Sequence, residues 1–482
     1  MKKCVLATLI LAITQPAFAI REYHKISKSL RAQGMGGAFY ALSNDEYALF
    51  YNPAGLSFYD EGWQLMLPIN LAVGQNAISK YSSIVNAFQS SGSISTVASN
   101  LDPLRNQPFS LNAGLFPFYL QQNFAIGLLL ADTKANFDVI GAGIDTSLRV
   151  AAMSDSGLVV GYGRSVGHNL HVGLNTKFIV RAGGKKTYST TDIAQSSSSS
   201  LKLTDLGGVG GGIDFDLGAI YEVPEGLFPW ALGHRFSLTV TNLLASSFGI
   251  AAQGNAPQLP RYVSLGSYTI FKGIGPINNF IFLLDFAEFG LGGQSDEELG
   301  ARSGSFWKHV NLGLEMPMGH MFALRTGFRQ GNFTLGLGLN LKYFKLDFAW
   351  YAEELGTKVG TNSERRLGLR LAFGGGALNE SAIDASSISE HRQRLKDVAR
   401  ARDEAGENED LKEDGKKKGA AKELVDRLQE AEKKDPTAGD APQGGTEPPQ
   451  NGTDGGAADT NSSGESSGDP GSSPEGSAGT TP

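Results

Sequence analysis

The chain has 482 residues, 62 of them glycine, a single cysteine and a formal net charge of −7. This acidic balance argues against nucleic-acid binding, because neutralising a phosphate backbone requires an excess of lysine and arginine. One cysteine excludes a disulfide-stapled fold, and the glycine content is well above the usual share of about 7%.

Residues 1–19, MKKCVLATLILAITQPAFA, predict a secretory signal peptide. The segment has a basic start, an apolar run over 5–13 and the small-x-small cleavage pattern at Ala17-Phe18-Ala19. The apolar run is too short for a membrane helix, which needs about 20 apolar residues. Cleavage after Ala19 removes Cys4, so we expect a mature chain without cysteine.

The stretch RAQGMGGAFYALSNDEYALFYNPAGLS, residues 31–57, fits neither an alternating strand nor an amphipathic helix. Its glycines permit positive φ and close backbone approach. Pro53 prevents a helix or a β-ladder from continuing. The stretch must therefore turn before the first strand, and we assign residues 20–61 to one N-terminal segment.

Residues 62–375 form a series of alternating segments. In FTLGLGLNLK, residues 333–342, large apolar side chains occupy every second position and so share one face of a strand. Strands are expected near 62–74, 108–119, 124–138, 144–166, 170–182, 213–223, 236–244, 261–272, 280–289, 309–317, 322–330, 333–341, 343–353 and 365–374. Their number, about fourteen, is even, as in bacterial single-chain barrels.

Alternation alone fits a soluble β-rich domain as well as a membrane barrel, whose apolar face meets lipid and whose polar face lines the lumen. A soluble sheet of this size would have edges to protect. Long connections on one side and mostly tight turns on the other favour the barrel, as do aromatic residues near strand ends. The long connections are 75–107, 183–212, 245–260, 290–308 and 354–364, and the aromatic residues are Phe116, Phe118, Tyr119, Trp350 and Tyr351.

We therefore predict an all-β fold: a transmembrane outer-membrane β-barrel of about 14 antiparallel strands, with an N-terminal plug and a disordered C-terminal tail. Ser154-Asp155-Ser156-Gly157 interrupts the fourth strand. This interruption is compatible with a bulge, with a strand end, or with a kink that opens a lateral exit.

The face opposite the large apolar residues is rich in glycine and charge. Its charged members are expected to line the lumen and to pair across neighbouring strands rather than to act as catalytic acids and bases. They are Lys177, Arg181, Asp214, Asp216, Glu315, Arg325, Arg329, Lys342, Lys345, Asp347 and Arg370.

Three short motifs in the N-terminal segment are similar to the signature of the FadL-type outer-membrane transporter superfamily, which also includes PorV-type secretion barrels. They are Gly34-Met35-Gly36-Gly37-Ala38, Asn44-Asp45-Glu46 and Asn52-Pro53-Ala54-Gly55-Leu56. The resemblance implies a fourteen-stranded barrel with a plug, or hatch, inside it. The implied plug and gating residues are Gly34, Gly36, Gly37, Asn44, Asp45, Asn52, Pro53 and Gly55, and inward glycines such as Gly336, Gly338 and Gly368 would leave room for the plug.

Other sequence motifs give only weak evidence for a phosphate-binding, metal or catalytic site. The glycine-rich stretches 183–187 and 207–216 lack the helix and the Lys-Ser/Thr ending of a phosphate loop, so we expect loops there. The seven histidines have no metal-ligand spacing, and no Ser/His/acid set is recognisable. We expect no metal, no cofactor and no enzymatic activity.

The composition changes after the last predicted strand. Leu367 to Phe373 resembles a closing barrel strand with the terminal aromatic of an assembly signal. Residues 376–436 predict a charged, partly helical periplasmic linker, and 437–482 predict a disordered tail rich in Gly, Ser and Pro. An even strand count returns the chain to the periplasmic side.

Three functions remain open. The first is FadL-like passive transport of hydrophobic or amphipathic small molecules, gated by the N-terminal plug. The second is a PorV-like accessory barrel for protein secretion or surface attachment, and the third is a structural outer-membrane protein whose tail organises the periplasm. Expected partners are outer-membrane lipid, a small hydrophobic substrate, the barrel assembly machinery, and a periplasmic or secreted protein.

Overall fold

The computed structural model describes residues 25–59, 62–89, 93–167, 169–195, 203–224, 227–228, 230–291, 305–356 and 358–376. The signal peptide predicted for 1–19 lies outside these residues. The linker and tail predicted beyond 376 also lie outside them.

Strands make up most of the described chain. They are β1 (Trp63–Gly74), β2 (Phe109–Leu115), β3 (Phe118–Gln121), β4 (Phe124–Ile140), β5 (Ser147–Val166), β6 (Leu170–Ser189), β7 (Gly207–Glu222), β8 (Gly233–Thr241), β9 (Ile250–Gly254), β10 (Tyr262–Lys272), β11 (Asn279–Gly290), β12 (Val310–Met318), β13 (Phe322–Arg329), β14 (Asn332–Leu341), β15 (Phe344–Glu354) and β16 (Ser363–Gly376).

The helices are short. They are α1 (Leu30–Gly34), α2 (Gln75–Ser79), α3 (Tyr81–Gln89), α4 (Ile94–Leu101) and α5 (Thr190–Gln195), with 3₁₀ turns at Glu46–Leu49, Pro53–Phe58, Asp102–Leu104, Gly143–Asp145, Leu203–Leu206 and Phe306–His309. Within the described ranges, none of the helices has the length and apolar character needed to cross a membrane.

The sheet closes on itself. β1 pairs with β16 from Gln64 opposite Gly376 to Gly74 opposite Arg366. β2 and β3 follow each other between β1 and β4 and so share one position in the wall, while β9 lies beside this path and pairs with β7. The described strands therefore occupy fourteen wall positions, all antiparallel, which confirms the predicted barrel and its strand count.

The two faces of the wall differ in polarity. On β1, Trp63, Leu65 and Leu67 are 50%, 55% and 42% exposed, whereas Gln64 and Met66 between them are both 3% exposed. The first half of β14 repeats this alternation. Rows of exposed apolar side chains around a closed barrel would promote aggregation in water, but they are the surface that an outer-membrane barrel presents to lipid. The chain is an outer-membrane β-barrel.

The two ends of the barrel differ in their connections. Long connections, 75–108, 190–206, 242–261 and 291–309, lie at one end, which we call the outer end. The opposite end, called the inner end, carries the turns 122–123, 167–169, 319–321 and 342–343, besides the longer 223–232 and 273–278. β1 begins and β16 ends at the inner end.

Two glycine-rich stretches expected in loops belong to strands instead. β6 continues to Ser189 and β7 begins at Gly207, and the two pair as far as Gly184 opposite Gly207. The outer connection predicted for 183–212 is therefore reduced to 190–206. Glycine weakens a strand but permits close approach of another backbone, and the loop that approaches here is described below.

The wall irregularity expected at Ser154–Gly157 lies in β4, directly opposite this stretch, and in the wall position beyond β4. β5 is continuous, and all of its residues pair with β6. Instead, β4 shifts register between Leu129 and Asp132, with Ala131 at φ 57°. The next wall position breaks at Phe116-Pro117, and Leu128 N donates to the Pro117 carbonyl at 2.9 Å. The two defects are therefore adjacent.

Three of the aromatic residues expected near the membrane surface face the lumen. Phe116, Phe118 and Tyr351 are only 1%, 1% and 3% exposed. Phe116 and Phe118 belong to the same buried cluster as the aromatic side chains of the N-terminal segment. Proximity to a strand end did not reveal which way these rings point.

Candidate functional site

The N-terminal segment, residues 25–59, lies inside the barrel. α1 packs against β13, β14, β15 and β16, whereas the turn Pro53–Phe58 packs against β4, β5, β6 and β7. These two sets of strands lie on different sides of the closed wall. The segment therefore crosses the lumen.

Three short helical turns build this segment, and a polar side chain starts each one. The side-chain oxygens of Ser29, Asp45 and Asn52 accept backbone N–H groups at 3.3, 2.9 and 3.1 Å. They cap α1, Glu46–Leu49 and Pro53–Phe58 respectively. Because each turn is so short, the sequence has neither strand nor helix periodicity.

The glycines of the segment lie where backbones meet. Gly36 and Gly37 have φ values of 64° and 78°, and a methyl group on Gly36 would overlap the backbone of β12 and β13. A methyl group on Gly34 would lie 2.9 Å from Gly336 Cα in β14, and one on Gly55 would overlap a carbonyl within the segment. These positions have no room for a side chain.

Asn52 links the N-terminal segment to β7 and also links two parts of the segment to each other. Its Nδ2 donates to the Tyr40 carbonyl at 3.1 Å and to the Ala219 carbonyl on β7 at 3.3 Å. Pro53 follows it as the first residue of the 3₁₀ turn. Three wall positions away from β7, Asp285 of β11 accepts the backbone N–H groups of residues 39 and 40 at 2.6 and 3.0 Å.

Arg31 connects the segment to the charged face of the wall. Its Nε and Nη2 donate to the Glu315 carboxylate on β12 at 3.0 and 2.7 Å, and its Nη1 donates to Asn44 Oδ1 at 3.0 Å and Asp45 Oδ2 at 3.1 Å. Burial, and secondarily repulsion from Glu46, raise the pKa of Asp45 to about 6 even though Arg31 acts in the opposite direction. Asp45 can therefore change its charge near neutral pH.

The charge network continues around the wall and returns to the segment. Arg325 on β13 donates to Glu315 at 2.8 Å and to Asp347 on β15 at 2.6 Å. Arg370 on β16 donates to Asp347 at 2.9 Å and to Glu46. Since Glu46 follows Asp45 in the chain, these contacts form a closed ring in which charge alternates except between Asp45 and Glu46. In a buried network of this kind, each member depends on its neighbours.

A second ionic contact joins the start of the segment to the wall. Lys28 Nζ donates to Glu353 on β15 at 2.7 Å, and Arg329 Nη2 on β13 donates to the same carboxylate at 3.1 and 3.2 Å. Arg329 is thereby one of the predicted lumen residues that the structure brings to the segment.

The two predicted lumen lysines of the β14–β15 hairpin differ in position. Lys345 is half-buried near the inner end, where its Nζ donates to Gln64 Oε1 on β1 at 3.0 Å. Lys342 is exposed and lies in the turn 342–343, because β14 ends at Leu341. The prediction that Lys342 lines the lumen is therefore wrong: strand alternation does not extend into a turn.

The remaining predicted lumen residues are Lys177, Arg181, Asp214 and Asp216, and all four are at most 2% exposed. They face the lumen from β6 and β7 and bond to residues 242–260, the connection between β8 and β10. The predicted charged face thus divides into two groups. One holds the N-terminal segment, and the other holds this outer loop.

Sequence reasoning missed a Ser/His/Glu set near the inner end. Ser57 Oγ lies 2.7 Å from His171 Nδ1, and His171 Nε2 lies 3.5 Å from Glu222 Oε2. The Ser57 hydroxyl donates to the Ala54 carbonyl at 2.7 Å, and Arg235 donates to Glu222 at 2.9 Å. All three members of the set are buried, so the set fixes the segment to β6 and β7. Only the fold brings positions 57, 171 and 222 together.

Two further features bear on what the lumen can hold. A cavity of about 70 Å³ lies between the segment and the wall at the inner end, with Arg31, Asp45, Arg325 and Lys345 among its lining residues. Its charged lining and small size suit a few water molecules. Within the residues that the structure describes, no group of three His, Cys, Asp or Glu side chains is placed to hold a metal ion.

No protein-family model and no curated protein matches the sequence. Among solved structures, the barrel is similar to outer-membrane hydrocarbon channels. The CymD monoaromatic hydrocarbon channel matches with a TM-score of 0.42 and 14% identity, over 74% of this chain and 100% of that one. The Ralstonia pickettii toluene transporter TbuX matches with a TM-score of 0.39 and 13% identity, over 74% and 99%.

A Pseudomonas aeruginosa FadL homologue is also similar, with a TM-score of 0.31 and 11% identity, over 74% of this chain and 100% of that one. The activities in these names are those of the named proteins. The architecture of the present chain is established by its own strand pairing.

Proposed function

We propose that the protein is a passive outer-membrane channel for hydrophobic or amphipathic small molecules, and that the N-terminal segment is its plug. The observation that carries the proposal is the course of residues 25–59, which cross the lumen and bond to both sides of the wall. The cavity of about 70 Å³ beside the segment is too small for a lipid-like molecule. Passage therefore requires the segment to move.

We place the outer end outside the cell and the C-terminal tail in the periplasm. Outer-membrane barrels have short periplasmic turns and longer extracellular loops. The connections at the two ends of this barrel follow that asymmetry, apart from the short connections 141–146 and 330–331 at the outer end.

Aromatic packing around the plug supports an apolar substrate. The Phe39 and Tyr51 rings lie 5.2 Å apart, and Phe50 and Tyr47 lie 5.1 and 6.2 Å from Phe116 on the wall. A ring or alkyl chain that replaced one of these contacts would keep the apolar surface covered while the plug moved. A charged molecule could not cover this apolar surface while the plug moved.

The adjacent defects in β2–β3 and β4 supply a route sideways into the membrane. Phe116 occupies the break and packs against the plug, so displacement of the plug removes the ring contacts that cover the break from inside. Pro117 cannot donate a ladder hydrogen bond there. In this proposal, an apolar molecule leaves through the wall at this point.

The plug is tested by replacing Asn52 and Pro53 with alanine. The change removes the bonds to Tyr40 and Ala219 as well as the cap of the 3₁₀ turn, so leak of small solutes through purified protein in lipid bilayers should rise. Lys342→Ala, in an exposed turn, is the matched control. Unchanged leak in the double variant, with the fold intact by heat-shift on a gel, rules out the plug.

The substrate class is tested by native mass spectrometry of protein taken gently from its own outer membrane. A stoichiometric adduct of fatty-acid or hydrocarbon size supports the transport function. An empty barrel that co-purifies with an exported protein favours the accessory-barrel function instead.

One observation favours that second function. The outer connections carry exposed apolar side chains, with Ile78 54%, Tyr81 71%, Ile94 39% and Ile144 71% exposed. A protein client held at the outer end would cover such residues.

A further inference from the structure

The loop 242–260, which we call the outer loop, folds down into the outer end of the lumen. Phe248 and Leu259 are 2% and 1% exposed and belong to the same buried cluster as the aromatic residues of the plug. Ile250, on the other face of the loop, is 58% exposed. The loop thus has an apolar underside that covers the lumen and an upper side that faces solvent.

Buried charges hold the start of the outer loop. Lys177 Nζ donates to Asp216 at 2.6 Å and to Asn242 Oδ1 at 2.5 Å. Asp216 also accepts the Asn242 backbone N–H at 2.8 Å, and Asn242 Nδ2 donates to the Pro260 carbonyl at 2.8 Å. Asn242 therefore joins both ends of the loop to the wall.

Asp214 and Arg181 hold the middle of the loop. The Asp214 carboxylate accepts the backbone N–H groups of residues 244 and 246 at 3.0 and 2.9 Å. Arg181, paired with Asp155 at 2.7 and 2.8 Å, donates to the Pro257 carbonyl at 3.1 Å. Its guanidinium lies 4.8 Å from the centre of the Phe248 ring.

The backbone of the loop is strained at four positions, of which three lie at or beside these contacts and the fourth, Ala251, lies in β9. Asn242, Ala245, Phe248 and Ala251 have φ values of 56°, 50°, 54° and 51°. Asparagine tolerates this left-handed region, whereas alanine and phenylalanine adopt it at a cost in free energy. Such strain persists only when surrounding contacts impose it, and it is common in switch segments.

Glycines of β7 leave the space into which the backbone of the outer loop packs. A methyl group on Gly210 would overlap the Phe248 carbonyl, and one on Gly208 would lie 2.5 Å from Asn255 N. A methyl group on Gly212 would lie 3.1 Å from the Phe248 ring. The glycine-rich run of β7 is thus explained by the close approach of the outer loop.

We propose that the outer loop is a strained outer gate of the barrel, held shut over the lumen by Lys177, Arg181, Asp214 and Asp216. Opening breaks the buried contacts and the pairing of β9 with β7, and it releases the left-handed residues to relaxed conformations. The strain therefore favours opening, whereas the contacts and the pairing oppose it. An open pocket of about 760 Å³ lies between the outer loop and the ends of β6 and β7, with Gly184, Lys185 and Gly207 among its lining residues, and gives the loop room to move. The gate rests on the proposed function because it closes the same lumen, but its movement can be measured without a substrate.

The test uses a single cysteine at the buried position Leu259. With the predicted signal peptide removed, Leu259→Cys supplies the one thiol, and a membrane-impermeant maleimide applied to whole cells labels it when the gate opens. In this background Ala251→Gly relieves strain and should slow labelling about fivefold, which corresponds to about 1 kcal/mol. The neighbouring Ala252, also exposed, lies outside the left-handed region, so Ala252→Gly is the matched control and should not slow labelling.

A second variant acts in the opposite direction. Gly210→Ala displaces the Phe248 backbone and should speed labelling severalfold while the barrel remains folded by heat-shift on a gel. Equal labelling rates in Ala251→Gly and Ala252→Gly overturn the gate, as does an unchanged rate in folded Gly210→Ala. A transport assay that fails to find a substrate does not alter these rates, so failure of the gate and failure of the transport function are distinguishable.

Discussion

At the residue scale, the charged ring gives single side chains more than one partner. Glu315 accepts from both Arg31 on the proposed plug, residues 25–59, and Arg325 on the neighbouring strand. Removing its charge leaves the buried guanidinium groups of Arg31 and Arg325 with one carboxylate partner each, Asp45 and Asp347, instead of two. Breaking a buried ion pair in this way costs about 3–5 kcal/mol.

We therefore expect Glu315→Gln to lower the temperature at which the folded gel band converts to the unfolded one, and to raise leak through the barrel. Lys342→Gln removes a charge at an exposed turn and should leave both unchanged. Equal conversion temperatures for Glu315→Gln and the native protein would show that the ring does not stabilise the plug.

Asp45 gives the plug a dependence on pH whose sign is fixed. Its pKa is raised from 3.8 to about 6, so the folded state binds the proton more tightly than the unfolded state. Its contribution to stability is fully present below pH 3.8 and is lost as pH rises through 6. Asp45→Asn keeps the neutral form, so its stability advantage over the native protein should grow between pH 4 and pH 7. Thermal unfolding of both proteins across this range measures the difference, and a constant difference contradicts the prediction.

At the element scale, the alternation of each strand separates lipid from lumen. Leu337 on β14 is 52% exposed, and an arginine facing lipid near the middle of the membrane costs about 2–4 kcal/mol. Asn340 lies on the other face of β14 and borders the polar cavity at the inner end. Leu337→Arg should therefore reduce the folded fraction in membranes, whereas Asn340→Arg should not. Equal folded fractions by heat-shift would contradict the assignment of the two faces.

The sequence predicted those elements whose signal is local. Strand alternation is a local pattern, so the fourteen positions and their faces were accessible from sequence. The segment β9 and the extensions of β6 and β7 were not, because glycine-rich strands have no apolar alternation and are specified by the backbone that packs on them. The defect assigned to Ser154–Gly157 fell in the adjacent strands for a similar reason: a bulge depends on the register of the pair.

Within the candidate site, too, local features could be predicted from the sequence, and contacts between distant parts of the chain could not. The alternation of residues along each strand was enough to predict which charged side chains face the lumen. The exception is Lys342, because β14 ends before it. Which charges hold the plug and which hold the outer loop depends on the tertiary path of residues 25–59 and 242–260. The contact between Ser57 and His171 likewise joins positions 114 residues apart.

At the scale of the whole molecule, the lumen carries two proposed barriers in series. The proposed plug is bonded to Glu315, Glu353 and Arg370, and the outer loop is bonded to Lys177, Arg181, Asp214 and Asp216 on β6 and β7. The two sets of contacts share no ion pair among those described, and the link between them is the apolar cluster that contains Phe248, Leu259 and the aromatic residues of the proposed plug. We therefore expect each barrier to open while the other remains shut. Since the outer loop is expected to open part of the time, loss of the plug alone should raise leak, but by less than loss of both barriers.

This arrangement makes a prediction for combined variants. Replacing Asn52 and Pro53 with alanine opens the plug, and Gly210→Ala opens the outer loop, but each leaves the other barrier in place. Combined in one chain, the substitutions should raise single-channel conductance in bilayers by more than the sum of the separate increases. A Lys342→Ala change added to either variant controls for the extra substitution and should add nothing. If the combined conductance equals that of the plug variant alone, the outer loop is no barrier to flow and the plug alone closes the channel.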